Sequence, residues 1–167
     1  EAKIFDTDGN EVLTDEVGEI GIKGPGILKG YLNQEQMYKS CFHKSYFMTG
    51  DICRKDKEGN YYYVDRKKDI LIKGGVNIIP SQIEEFFQSH PIVKEVAVVG
   101  IPDMMFGENI KCYIVLRNGS DPDINELKSF CKNKLGEFKT PSEFEFVTTL
   151  PKGPSGKVLK RELRSNH

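Results

Sequence analysis

The chain has 167 residues and a formal net charge of -1, with 24 basic and 25 acidic residues interspersed along it. Hydrophobic residues make up 38% and aromatic residues 10%, enough to build a core, so an intrinsically disordered chain is excluded. The near-neutral charge gives no electrostatic basis for binding nucleic acid or an anionic membrane surface. The length suits one ordinary domain or two small ones.

The sequence lacks the usual signs of membrane insertion, secretion and metal binding. No apolar run approaches the roughly 20 residues that cross a bilayer, and no signal-peptide pattern opens the chain. The four cysteines form no Cys-x-x-Cys pair and the three histidines lie far apart, so the sequence favours reduced thiols in a cytoplasmic protein and predicts no metal site. Because Glu1 opens strand-like sequence, we expect a fragment of a longer protein.

The first part of the chain is predicted to be β structure. Its predicted strands alternate apolar and polar residues and lie at 3–5, 17–23, 46–48, 52–55 and 61–64. Residues 33–40 predict a short helix with Asn33 as its N-cap. The Thr-Gly-Asp motif at 49–51 is interpreted as a turn between strands. A turn at 58–60 makes the last two strands a hairpin, which leads into the charged run at 65–69.

Strands and helices alternate in the second part. Its predicted strands lie at 70–72, 93–101, 109–117 and 144–147, the first of them buried. Its predicted helices cover 80–89, the stretch from an acidic cap at 121–123 to Gly136, and 158–164. The composition changes at 66–69, so we expect a β-rich unit at 1–67 and an α+β domain at 68–167. The predicted fold class is α+β.

Two short stretches contain residues suited to chemistry. Gly, Pro and Ser around Lys157 predict a mobile loop, and a compact ammonium on such a loop can neutralise phosphate or carboxylate oxygens during group transfer. The stretch is not a P-loop, because Pro151 and Val158 stand where Gly and Ser or Thr are needed. A carboxylate at Asp51 can accept hydrogen bonds from a ribose diol. The alternative for Lys157 is an ordinary solvated lysine in a loop, and the alternative for Asp51 is an ordinary turn residue.

Four motifs in order resemble the C-terminal part of the adenylate-forming superfamily, which contains acyl-CoA synthetases, adenylation domains of peptide synthetases and firefly-type luciferases. Residues 18–33 resemble its GEI…G…GYxN segment, and residues 46–51 its aromatic-x-TGD motif. Residues 65–84 resemble the motif (G/D)RxxDxIKxxGxxIxPxEIE, and residues 150–157 resemble LPKTxxGK. The resemblance covers the whole chain.

The resemblance implies a role for each matching residue. Asp51 would hold both ribose hydroxyls of ATP, Arg66 would reach the ribose and phosphate side, and Tyr63 would lie against the nucleotide. Lys157 would stabilise the α-phosphate and the attacking carboxylate during adenylate formation. Lys68 would be the hinge about which the lid domain rotates between two poses.

In the second pose a glycine-rich loop would line a tunnel for the pantetheine thiol of coenzyme A. The loop consists of Lys73, Gly74 and Gly75, and residues without a Cβ let an extended thiol arm pass close to the backbone. The chain departs from the family pattern at Asp65, where Gly is more usual, and at Gly153, where Thr is usual. We expect the latter change to affect loop stiffness.

Several parts of the family's active site are absent from the sequence. The phosphate-binding loop, the YGxTE-type segment that completes the nucleotide and magnesium site, and the acyl pocket have no counterpart. Residues 1–67 would therefore be the incomplete end of the large AMP-binding domain, with Mg²⁺ bound by the missing N-terminal part. The fragment by itself is expected to be inactive.

The predicted function of the full-length protein is an acid–thiol ligase. It would form an acyl-adenylate from ATP and a carboxylic acid, for example a fatty acid, and then transfer the acyl group to CoA. One alternative is an adenylation enzyme that loads a carrier-protein phosphopantetheine, although no carrier domain follows Arg164. Light emission is disfavoured because its relatives have an extra lysine where this chain has Ile72. Another alternative is a non-catalytic binding or regulatory module.

Overall fold

The computed structural model describes residues 1–117 and 123–165 and contains two compact units, Glu1–Lys68 and Asp69–His167. Each unit is built around its own five-stranded sheet, and helices are few. The predicted α+β class is confirmed. No helix in the described part of the chain is both long enough and apolar enough to cross a membrane.

The first unit is an antiparallel sheet with one short helix. Its strands are β1 (Ala2–Phe5), β2 (Val17–Ile22), β3 (Phe42–His43), β4 (Tyr46–Lys55) and β5 (Tyr61–Arg66), in the order β1-β2-β4-β3, with β5 pairing β4. Helix α1 (Glu35–Ser40) begins after Gln34, so the predicted N-cap at Asn33 is wrong. Asn33 has φ +55° and lies inside the preceding turn, a left-handed conformation that asparagine tolerates better than most residues.

The Thr-Gly-Asp motif is not a turn between two strands. Strand β4 runs through it without ending, and the sheet register shows what happens there. Gly21 of β2 pairs with Met48, and Glu19 pairs with Ile52, so the three residues 49–51 face the single residue Ile20. This is a β-bulge, which re-aims the side chains of the bulged strand while the sheet continues on both sides.

The second unit is a mixed sheet covered on both faces. Its strands are β6 (Leu71–Lys73), β7 (Val76–Ile78), β8 (Val93–Asp103), β9 (Gly107–Leu116) and β10 (Glu143–Phe146). Its helices are α2 (Pro80–Gln88), α3 (Ile124–Leu135) and α4 (Lys160–Arg164), which confirms the three predicted helices. Strand β9 pairs with β8, with β10 in parallel, and with β6.

Two details of the predicted second unit are wrong. The strand expected at 70–72 is not buried throughout, because Leu71 and Lys73 face inward while Ile72 is 55% exposed, as the alternation of a strand requires. Strand β7 was not predicted at all. Helix α3 is capped by the Asp123 carboxylate, which accepts the backbone N–H groups of Asn125 and Glu126, and the rest of the predicted cap, at 121–122, lies outside the described residues.

The β8–β9 hairpin separates two apolar clusters. On one face, side chains of α2 and α3, including Ile83, Phe87 and Leu127, pack against buried sheet residues such as Ile114. On the other face, Leu150 and other residues of the C-terminal segment pack against the sheet. The hairpin therefore supports both the helices and the segment that carries Lys157.

Phe87 provides a direct test of the first cluster. It is fully buried, and its ring contacts those of Phe130 and Phe144. Replacement of Phe87 by alanine should lower the free energy of unfolding of the second unit by about 3–5 kcal/mol, because it leaves a cavity. Urea unfolding followed by circular dichroism measures the change. The control Met104→Ala, at a fully exposed position, should shift stability by less than about 0.5 kcal/mol.

Candidate functional site

The bulge in β4 is held by one hydrogen bond for each of its three residues. The Thr49 hydroxyl donates to the Ile20 carbonyl at 2.9 Å and accepts the Asp51 N–H at 3.1 Å. The Gly50 N–H donates to Glu19 Oε1 at 3.0 Å. Gly50 has φ +75°, a region in which a Cβ is strained, although space around it is open. The motif therefore has a well-defined backbone that directs Asp51.

Asp51 and Arg66 come together on neighbouring strands. They are direct partners in the β4–β5 register, and the Arg66 guanidinium donates a hydrogen bond to the Asp51 carboxylate. The two side chains keep 31% and 45% of their surface exposed, for Asp51 and Arg66 respectively, so both groups remain open to a ligand. Tyr63, on the same strand as Arg66, is also exposed. Strand pairing thus places three predicted nucleotide-binding residues on two adjacent strands.

The sequence reasoning missed Glu19. Its carboxylate is buried in β2, with Oε1 bonded to Gly50 and Oε2 only 2.8 Å from the Lys67 ammonium. The sequence carried no clear indication, because Glu19 occupies a polar position of the alternating segment 17–23 and only the fold buries it.

A 3₁₀ turn, Lys67–Asp69, contains the predicted hinge residue. Lys67 is tied to Glu19 within the first unit. Asp69 is tied within the second unit, where the Arg164 guanidinium donates to its carboxylate at 3.1 Å. In sequence, Lys68 therefore lies between a residue held within the first unit and a residue held within the second.

The segment around Lys157, predicted as a mobile loop, is a hydrogen-bonded turn, and its mobility stays a prediction. Lys152 and Val158 form a bridge, Gly153 N–H donates to the Lys157 carbonyl at 2.9 Å, and Gly156 N–H donates to the Gly153 carbonyl at 2.9 Å. Gly156 has φ +79°, which the turn requires and which glycine adopts without strain. Glycine here closes a tight turn rather than loosening a loop.

Two ion pairs fasten this turn to the rest of the second unit. Before it, the Lys152 ammonium lies 2.5 Å from the Glu95 carboxylate. After it, the Lys160 ammonium lies 2.7 Å from Glu84, which also accepts the Val98 N–H at 2.7 Å. The Lys157 side chain is exposed, and its ammonium makes no hydrogen bond or ion pair with the described residues of its unit. The structure thus presents one unpaired ammonium on a fixed turn.

Lys73 is arranged differently from what its predicted role suggests. Its side chain is only 6% exposed, and its ammonium lies 5.5 and 5.1 Å from the ring centres of Phe106 and Phe138. Burial lowers the pKa of the Lys73 ammonium, and the Asp103 carboxylate partly opposes this shift. The Lys73 ammonium therefore supports the loop from inside rather than facing a ligand.

The glycines that follow Lys73 form the turn between β6 and β7. The Gly74 N–H donates to the Phe106 carbonyl at 2.8 Å, and a Cβ there would meet the rings of Phe106 and Phe138 at 3.3 and 3.4 Å. Around Gly75 the space is open. Among residues 1–117 and 123–165 there is no group of three or more His, Cys, Asp or Glu that could hold a metal ion.

Comparisons with known proteins agree with the motif order. Residues 82–157 match the family model of the AMP-binding enzyme C-terminal domain. The long-chain-fatty-acid–CoA ligase of Bacillus subtilis is 39% identical over 164 residues, which cover 98% of this chain and 29% of that ligase. The chain thus spans less than a third of the length of this curated relative.

Two solved structures have the same fold. ATP-bound MatB from Rhodopseudomonas palustris superposes with a TM-score of 0.95 at 34% identity, over 99% of this chain and 33% of that one. The o-succinylbenzoate CoA synthetase of Bacillus subtilis, in complex with its acyl-adenylate intermediate, gives 0.86 at 37% identity, over 98% and 33%. Fold and motifs therefore define the class as adenylate-forming enzymes. The chain belongs to this AMP-binding family, and it is similar to part of the acyl-CoA ligases within it.

The buried ammonium of Lys73 makes stability depend on pH in a definite direction. Because its pKa is lowered in the folded state, the unfolded state binds more protons between that value and 10.5, and stability rises with pH there. Lys73→Met removes the buried charge, so any stability it gains over wild type at pH 7 should shrink as the pH approaches 10.5.

Urea unfolding at several pH values measures this difference. Lys134→Met, at an exposed position of α3, is the matched control and should show no such trend. A difference between Lys73→Met and wild type that stayed constant across this pH range would contradict the assignment of the shift to Lys73.

Proposed function

We propose that the chain is the C-terminal part of a longer ATP-dependent acid–CoA ligase. In the first half-reaction a carboxylate oxygen attacks the α-phosphorus of ATP, and pyrophosphate leaves. In the second, the thiol of CoA attacks the carbonyl carbon of the acyl-adenylate, a C–S bond forms, AMP leaves and the thiol proton passes to solvent. The observation that carries the proposal is the exposed Lys157 ammonium on its anchored turn, an ammonium that has no hydrogen bond or ion pair with the described residues of its unit.

Lys157 acts in the first half-reaction. Negative charge builds up on the α-phosphate as the carboxylate attacks, and a fixed ammonium stabilises that charge without having to reorganise. The two ion pairs on either side of the turn support this role, because they limit how far the turn can move relative to the sheet. Among the described residues of its unit, the Lys157 ammonium also has no partner that it would have to leave in order to contact a phosphate.

The Asp51–Arg66 pair binds the nucleotide. Asp51 accepts the ribose hydroxyls, and Arg66 donates to the ribose and phosphate side. Their contact across β4 and β5 supports a shared ligand, since both groups are partly exposed and close together. Tyr63 lies against the nucleotide. The described residues do not fit a resident metal ion, so Mg²⁺ would be held by the missing N-terminal part, and no step is assigned to it.

The second unit rotates about Lys68 between a pose for adenylate formation and a pose for thioester formation. The contacts of Lys67 and Asp69 support this role, because the two residues that flank Lys68 are each held within a different unit, and a hinge is a short stretch of backbone between two such units. In the second pose the pantetheine arm passes along the backbone of the Gly74–Gly75 turn, where the space around Gly75 is open. Lys73 contributes by holding the two phenyl rings behind this turn.

The acid substrate is selected outside this chain. The chain is 39% identical to a long-chain-fatty-acid ligase and 37% identical to an o-succinylbenzoate ligase, whose acids differ in size and shape. Near-equal similarity to both supports a region devoted to ATP and the thiol. We also place the protein in the cytoplasm, where its four free cysteines would stay reduced.

ATP–pyrophosphate exchange by the full-length polypeptide tests the function. A panel from acetate to long-chain fatty acids and aromatic acids is screened, and CoA is then added. Exchange with one class of acid, followed by CoA-dependent thioester formation, is the expected result. Exchange without CoA consumption would move the acceptor to a carrier-protein phosphopantetheine. No exchange with any acid would favour a binding module.

Lys157→Ala should separate the half-reactions. We expect a fall of about 10²–10³-fold in the rate of acid-dependent exchange, because one electrostatic donor to the transition state is lost. Thioester formation from preformed acyl-adenylate should stay nearly intact. Lys134→Ala, an exposed lysine in the same unit, is the control. An equal loss in both half-reactions would contradict the two-pose assignment.

Asp51→Asn should act mainly on ATP binding. Loss of a charged acceptor costs about 1.5–3 kcal/mol, so the KM for ATP should rise roughly 10–100-fold with a smaller change in kcat. Steady-state exchange kinetics measure both constants. Asp15→Asn is a matched control, because Asp15 forms a comparable ion pair with Arg54, which lies on the same strand β4 as Asp51. An unchanged KM for ATP would remove Asp51 from the ribose site.

A further inference from the structure

Glu19 joins two segments that the proposed function needs. Its side chain is only 11% exposed, and each carboxylate oxygen contacts a different segment. Oε1 accepts the Gly50 N–H at 3.0 Å, in the middle of the bulge that carries Asp51. Oε2 lies 2.8 Å from the ammonium of Lys67, the first residue of the 3₁₀ turn that contains the hinge. Lys67 is distant in sequence, so only the fold creates this junction.

A carboxylate is the group that this position requires. Both neighbours of Glu19 are donors, a backbone N–H and an ammonium, and a carboxylate offers an acceptor oxygen to each. A glutamine amide has one acceptor oxygen, so its NH₂ group would face one of the two donors. An alanine would leave the Gly50 N–H without its partner inside the sheet.

The bond to Gly50 also determines where Asp51 lies. On the β2 side the bulge lacks regular pairing, because its three residues face one residue of β2, whereas on the other side Asp51 pairs with Arg66 of β5. Thr49 is held by Ile20, and Asp51 is held through Thr49, so the middle residue depends on Glu19. Glycine is the residue with the most backbone freedom, and without this bond the bulge can relax.

We propose that Glu19 is a positioning residue, which fixes the carboxylate of Asp51 for the nucleotide ribose and holds Lys67 at the base of the hinge. We call the two contacts of Glu19, with the Gly50 N–H and with the Lys67 ammonium, the clamp. The inference rests on the proposed function for the role of Asp51, but the clamp itself can be measured without activity. Glu19 acts through Gly50 and Lys67 and touches no substrate.

The test compares variants of the full-length polypeptide in acid-dependent ATP–pyrophosphate exchange. Glu19→Ala should raise the KM for ATP at least tenfold, with a smaller fall in kcat. Glu19→Gln should also raise it, and adding Lys67→Met should bring it back toward wild type, because the single amide oxygen can then face Gly50. A merely structural role would lower the active fraction and leave KM unchanged. Glu11→Ala, which breaks the exposed ion pair with Lys3 on the same sheet, is the control.

A second readout is hydrogen exchange at the Gly50 amide, by NMR or mass spectrometry of the segment. We expect slow exchange in wild type and in Glu11→Ala, and at least tenfold faster exchange in Glu19→Ala. Unchanged exchange in Glu19→Ala would overturn the clamp whatever the enzyme does. Faster exchange with an unchanged KM for ATP would overturn the positioning role. If wild type itself shows no exchange of pyrophosphate with any acid, the proposed function fails, and the amide data still decide whether the clamp exists.

Discussion

Both units depend on carboxylates that satisfy backbone N–H groups where β-sheet pairing cannot. Glu19 accepts the Gly50 N–H inside the bulge of β4, and Glu84 of α2 accepts the Val98 N–H on β8. A buried amide without a partner costs about 1–3 kcal/mol, which applies in full to Val98 and in part to the half-buried Gly50. Each carboxylate also pairs with a lysine, Lys67 and Lys160 respectively. The turn that contains Lys68 and the segment that carries Lys157 are therefore each joined, through a lysine, to a carboxylate that accepts a backbone N–H of the sheet.

The second unit shows how burial leads to an exposed reactive group. The β8–β9 hairpin is apolar on both faces, and the C-terminal segment covers one of them with Leu150 and Leu163. The Tyr113 hydroxyl also donates to the Leu163 carbonyl at 3.0 Å. Burial on both sides of the turn leaves its tip in solvent, where Lys157 projects. An ammonium placed in this way keeps its charge accessible while its backbone is held.

Much of the architecture follows from local pattern. Apolar residues three and four apart predicted α2 and α3, and short apolar or alternating runs predicted the strands of both sheets except β3 and β7, because periodicity reports which face is buried. The same reading, with the motif order, selected the family. It also selected Asp51 and Arg66, which the structure brings into contact, and Lys157, which it leaves exposed. Their roles in catalysis remain proposals.

What the sequence by itself determined is therefore the order of elements, the family and the residues that carry its motifs. Tertiary structure alone decided the bulge at 49–51, the ion pairs that fasten the Lys157 turn to Glu95 and Glu84, the inward position of Lys73 and the part played by Glu19. The reason is physical: each of these depends on a partner brought from elsewhere in the chain, as with the 48 positions between Glu19 and Lys67. Local propensity contains no information about such partners, because it describes one segment at a time.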